Sequence, residues 1–294
     1  MEHAVHKLFD TNLWLAHKYR ALTRKAAGGD FLMQRVASDL NERLSSVGRS
    51  FNKAATLFCQ TPAAAETIAQ TGKAGQILQV ECDAAFFTNE KTLLTPFETL
   101  PFEPQSLDLV VSLLSMQAMN DIPGLLAQTR RALRPDGLFL AAMAGAGTLA
   151  ELRESLMAAE TELYGGISPR VSPFVDVRDA GALLQRAGLA LPVADVETMS
   201  VRYDHLFALM ADLRAMGETN ILASRSRKPV SRAFFSRAAE IYAERFSDPD
   251  GRIRASFQIV WLSGWAPDPS QQKPLRPGSA KMSLAEALKH SGNQ

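Results

Sequence analysis

Ser106 to Met143, SLDLVVSLLSMQAMNDIPGLLAQTRRALRPDGLFLAAM, is the stretch that leaves this chain the fewest choices of fold, because it reads as strand, helix, strand. Leu107, Leu109, Val110, Val111, Leu113 and Leu114 make an apolar run broken only by Asp108 and Ser112, as in a strand covered on both faces of a parallel sheet. Asn120 and Asp121 can cap the helix that follows, and Pro123 suits its first turn. Ile122, Leu125, Leu126, Thr129 and Leu133 return at the spacing of one buried helical face. Arg134-Pro135-Asp136-Gly137 ends the helix in a turn, since the residue before a proline leaves the helical region. Leu138 to Met143 then returns as a second buried strand. The unit is a right-handed crossover, and the fold class is α/β.

With 32 basic and 31 acidic residues the net charge is +1, which gives no electrostatic case for a nucleic-acid partner. No apolar run reaches the roughly 20 residues of a membrane span. The first residues, MEHAVHKLFDTNLW, lack the pattern of a secretory signal, and only two cysteines are present, so a reducing, cytoplasmic setting is expected.

Two helices precede the first strand. Phe9, Leu13, Ala16 and His17 share a face in the first, Gly28-Gly29-Asp30 closes it, and Leu32, Val36, Leu40 and Leu44 recur in the second. Such a stripe reads as core packing ahead of a cover over a substrate. Ala54–Cys59 is expected as the first strand, Ala63–Thr71 as a helix and Gln76–Val80 as the second strand, with Glu81 at its end. Thr148 is placed to cap a helix carrying Leu149, Leu152, Leu156 and Leu163. Residues 165–188 form an ordered loop holding Arg170, Asp176 and Arg178, within which Asp179 begins a helix closed by Gly188. This loop either takes part in substrate or partner contacts or is stapled by its own Arg-Asp pairs. Met199, Val201 and Tyr203 alternate as a strand, a helix follows from about Leu206 to Met216, and Arg225, Arg227, Lys228, Arg232 and Arg237 crowd one region. Ile253, Ala255, Phe257, Ile259 and Trp261 give the clearest alternation in the chain, and the segment after Trp265 is rich in proline. The domain division expected is 1–50 helical extension, 51–266 α/β domain with an insertion over about 148–245, and 267–294 extended tail.

LPFEPQSLDLVVSLLSMQAMND followed by RALRPDGLFLAAM resembles strands four and five of class I S-adenosylmethionine (SAM) dependent methyltransferases. That resemblance implies a Rossmann-like, seven-stranded, mostly parallel sheet with an antiparallel last strand. It also implies a donor loop of the form D-x-G-x-G-x-G after the first strand, where glycines let the backbone approach the ligand. Here the acid falls at Thr56 and two of the glycines at Phe58 and Pro62, and the acid that would hold the adenine falls at Pro96. Phe58 and Pro62 are expected to stand where the ligand's tail would enter. Glu81 remains as the carboxylate that would take the ribose hydroxyls. By the resemblance, the residues on the cofactor side are Phe58, Cys59, Gln60, Glu81, Cys82 and Ser112, and those on the substrate or partner side are Gln117, Arg170, Asp176 and Arg178. Cys59 and Cys82 are either a redox or metal pair or two small buried hydrophobes, the second being favoured because two cysteines lack the spacing of a metal site. No catalytic residue and no metal-ligand set is assigned, and the five histidines are scattered.

Residues 165–188, LRAMGETN, AAEIYAERF and SQQKPLRPGSAK are together similar to a narrower family, bacterial relatives of the methyltransferase-fold mitochondrial complex I assembly factor of arginine hydroxylase type. A more distant similarity is to the malonyl carrier-protein methyltransferase of biotin synthesis. The resemblance implies a protein partner. Two readings stand: a methyltransferase-family protein with a degenerate SAM site working as an assembly factor, or an active methyltransferase of a protein or acyl-carrier substrate. Oligomeric state is left open.

Overall fold

The computed structural model describes residues 7–87 and 91–272. The proline-rich segment, apart from its first residues, lies outside them, as do His3, His6 and His290. Seven strands form one sheet: β1 (Phe51–Leu57), β2 (Ala74–Glu81), β3 (Thr92–Leu94), β4 (Leu107–Leu113), β5 (Leu133–Ala144), β6 (Ala190–Tyr203) and β7 (Ile253–Trp265). Their order is β3-β2-β1-β4-β5-β7-β6. β7 runs antiparallel to both neighbours and the other six strands run parallel, as the resemblance implied.

The helices are α1 (Thr11–Arg24), α2 (Phe31–Ser46), α3 (Ala63–Gln70), α4 (Ile122–Ala132), α5 (Ala150–Tyr164), α6 (Val177–Arg186), α7 (Leu206–Ala215) and α8 (Arg232–Phe246). α4 and α6 cover one sheet face through Leu125, Leu126, Ala180 and Leu184, while α2 and α3 cover the other through Val36, Leu40, Leu44 and Ile68. α5, α7 and α8 build a third apolar cluster on the first half of β7. There Ile253, Ala255 and Phe257 alternate with more open residues. Further on Val260 and Leu262 are buried as well, because β7 lies inside the sheet rather than at its edge.

Several local expectations are corrected. The Arg134-Pro135-Asp136-Gly137 turn is a bulge inside β5, with Asp136 at φ 63° and the pairing slipping from Leu107–Leu133 to Leu109–Leu138. A bulge is where a strand tolerates a proline. Asp108 anchors it, accepting bonds from Lys53 N at 2.8 Å and Arg134 Nη1 at 3.1 Å. Thr148 caps nothing: Leu149 at φ 54° turns it away from α5, and its hydroxyl donates to Gln258 O at 2.9 Å. α6 starts at Val177, with Asp176 rather than Asp179 at its cap, accepting from Arg178 N at 2.8 Å. β6 begins at Ala190, well before Met199, and its strand pattern is masked because Asp195 and Glu197 reach across to Arg43 and Arg35 of α2. In α1 the buried anchor is Trp14, not Leu13.

A candidate site at the carboxyl ends of the strands

The segment after β1 keeps the backbone of a tight ligand loop without its glycines. Phe58 and Gln60 both adopt left-handed φ, at 53° and 56°, a conformation that costs a residue with a Cβ roughly 1 to 2 kcal/mol. That conformation swings the Phe58 ring into the core, where it is fully buried with its edge against Phe97 at 5.1 Å. Phe58 and Pro62 therefore do not stand in the open space above the sheet, contrary to the expectation. Cys59 is clamped between β1 and β4, since its Sγ accepts from Leu113 N at 3.4 Å. Burial pushes the Cys59 and Cys82 thiols up to about 12, and both are free, in different packing clusters. They form no disulfide, and no group of three or more metal-binding side chains occurs among the described residues.

Glu81 sits at the end of β2 with 3% of its surface exposed. Its Oε1 accepts from Gln60 N at 2.8 Å, while its Oε2 is buried with no partner. Burial pushes its carboxyl up to about 8. Ser112 is wholly buried and bonds back to Leu57 O at 3.3 Å, tying β4 to β1.

Beside Glu81 the ground is covered. Trp14 stacks on Phe97 with ring centroids 4.3 Å apart, and Trp14, Ala118, Cys82 and Phe97 share one cluster. α1 is held in this position by Lys18–Glu218 at 2.5 Å, Arg225–Asp10 at 3.2 Å and Phe9 N to Asn120 Oδ1 at 2.9 Å. The basic run is thus partly built into the fold, with Arg225 on Asp10 and Arg237 on Glu162.

A cavity of about 840 Å³ opens over the ends of β1, β4 and β5, where open α/β sheets place ligands. Cys59, Gln60, Gln117 and Arg170 line it. Phe58, Glu81, Cys82, Ser112, Asp176 and Arg178 do not. Gln117 donates to Leu114 O at 2.7 Å, leaving its Oε1 buried and unanswered, as is Thr61 Oγ1. α1 and α2 both reach the cavity, α2 also packing on the sheet as expected.

Arg170, Asp176 and Arg178 do not cluster. Arg170 grips Glu160 through Nη2–Oε1 at 2.7 Å and Nε–Oε2 at 3.0 Å, and lies over the Phe234 ring. Burial raises the Glu160 carboxyl, but its bonds to Arg170 and Ser168 N outweigh this and hold it below its ordinary value. Glu160→Ala is therefore expected to cost about 3 kcal/mol in urea denaturation, because it strands a largely buried guanidinium. Glu160→Leu with Arg170→Met together should cost less than the single change. Sequence reasoning missed Trp14, Phe174, Met210 and Phe257 as residues of this region, since no local pattern marks residues brought together from separate elements.

Residues 36–141 match the model of a methyltransferase domain. The chain is 37% identical over 267 residues to the mitochondrial arginine-hydroxylase NDUFAF5 of Danio rerio, spanning 88% of this chain and 83% of that protein. It belongs to the NDUFAF5 family. A malonyl-[acyl-carrier protein] O-methyltransferase of Laribacter hongkongensis is 37% identical over 183 residues, which is 62% of this chain and 58% of that protein. Among solved structures, the YcgJ protein of Bacillus subtilis superposes with a TM-score of 0.52 at 13% identity, over 80% of this chain and 99% of that one, a likeness of fold alone. The NDUFAF5 of Homo sapiens is 37% identical over 264 residues, which is 87% of this chain and 76% of that protein.

Proposed function

We propose that this NDUFAF5-family chain uses its methyltransferase fold as a scaffold for work on a protein partner, its donor site being closed by its own aromatic side chains. The stack of Trp14 on Phe97 carries this reading, since it fills the space beside Cys82 where a nucleobase next to the Glu81 ribose contact would lie. The residues present do not fit the nucleoside of SAM. Glu81 is outside the cavity and neutral over most of the physiological range, and Pro96 replaces the acid that would hold the adenine. The name of the relatives points to a protein arginine as the partner group. Among the described residues no helix is long and apolar enough to cross a membrane, which fits a partner met from the aqueous side.

A second reading, an active methyltransferase, draws on the unpartnered Glu81 Oε2 and the left-handed Phe58 and Gln60. It requires α1 to move aside. Calorimetric titration with SAM and S-adenosylhomocysteine separates the two. No binding at millimolar ligand is expected, and micromolar binding would restore the enzyme.

A further inference from the structure

The large cavity has a ligand chemistry of its own. Its deep end is walled by the buried Leu114, Leu149, Leu152, Leu156 and Phe257, and its mouth by exposed residues of the loop after α1 and the end of α7. Most polar groups on the wall are already answered: Lys18 holds Glu218, Arg170 holds Glu160, Thr148 bonds Gln258, and Asp30 bonds Gln34. Among its buried side-chain polar atoms only Thr61 Oγ1 and Gln117 Oε1 lack partners. A peptide segment brings an N–H and a C=O with nearly every residue, and each must be paired when buried. A guanidinium needs an open carboxylate, and of the two that line this cavity Glu218 is held by Lys18 and Asp30 is exposed at the mouth and bonded to Gln34. A hydrocarbon chain makes neither demand.

The mouth adds a sign. Lys25 and Arg214 line it, are exposed and make no ion pair among the described residues, and of the carboxylates in the lining only Asp30 is not tied to a cation. We infer that the cavity receives the hydrocarbon chain of a single-chain anionic amphiphile, with the negative head group at Lys25 and Arg214. This goes beyond the donor-site reading and stands whether or not a nucleoside binds.

Equilibrium dialysis of the full chain with radiolabelled hexadecanoate, below its critical micelle concentration, tests it, with hexadecan-1-ol as the uncharged comparison. Saturable one-site binding of hexadecanoate is expected. Lys25→Glu with Arg214→Glu, both at the surface, should weaken it about tenfold while leaving hexadecan-1-ol unaffected. Leu152→Trp, checked for an intact thermal transition, should abolish binding of both by filling the deep end. Absence of saturable binding, or an affinity untouched by the charge reversal, overturns the proposal. Binding of S-adenosylhomocysteine to a chain that also binds hexadecanoate saturably would overturn the donor-site reading and leave this one in place.

Discussion

Trp14→Ala is expected to lower the stability of this protein by roughly 3 to 5 kcal/mol, the usual cost of emptying a tryptophan site in a core. Trp14 is 1% exposed and is the buried anchor of α1, stacked on Phe97 and packed with Ala118 and Leu222. Its Nε1 lacks a hydrogen-bond partner, so removing the ring also removes a buried orphan donor, which puts the loss toward the lower end of that range. α1 should stay docked, because Lys18–Glu218 and Arg225–Asp10 hold it from outside the cluster. The variant then has an apolar gap beside Cys82. Adenosine is expected to raise its thermal midpoint while leaving the native protein unmoved, by the ordinary linkage between ligand binding and folding. Should the alanine variant fail to fold, Trp14→Leu makes a smaller gap and carries the same nucleoside test. A stability loss under 1 kcal/mol, or equal adenosine effects on both proteins, would show that the stack does not close this space.

The architecture was legible because its signals are local. The buried run of β4, the capped helix α4 and the alternation of β7 each follow from a few neighbouring residues, and together they fix the sheet. Glu81 was legible for the same reason, being the acid at the end of β2. The failures share a cause, which is that the deciding partner is remote. Trp14 is buried by Phe97 of the connection between β3 and β4, not by the stripe that pointed to Leu13. Arg170 looked ready to pair with its neighbours in the loop, yet Glu160 on α5 claims it. Phe58 was expected to obstruct because a ring stands where a glycine should be. Side-chain identity does not reveal the sign of φ, and the left-handed turn points that ring away from the cavity.

Glu81 gives the second large effect, and its sign can be worked out. The carboxyl titrates at about 8 in the folded chain, against an ordinary value of 4.5. Between those values the folded state holds a proton that the unfolded state has lost. Stability from this group is therefore complete below the ordinary value and falls as pH rises, by about 1.4 kcal/mol per unit. From pH 5 to pH 8 the loss attributable to Glu81 reaches up to roughly 4 kcal/mol. Glu81→Gln keeps the acceptor for Gln60 N and cannot ionise, so its urea-denaturation stability should lack this decline and exceed that of the native chain at pH 8. His17, which burial holds below its ordinary 6.5, acts with the opposite sign in the acid half of this window, but it is present in both proteins and cancels in their difference. Identical pH profiles for the two proteins would refute the buried, neutral carboxyl. The same numbers bear on the proposal that the donor site is closed. Ionising Glu81 at pH 7 to receive a ribose costs only about 1.4 kcal/mol, a factor of ten in affinity, whereas displacing Trp14 from its packing costs roughly 3 to 5. On the proposed reading, the aromatic cover is a larger obstacle to a nucleoside than the charge state of the acid beneath it.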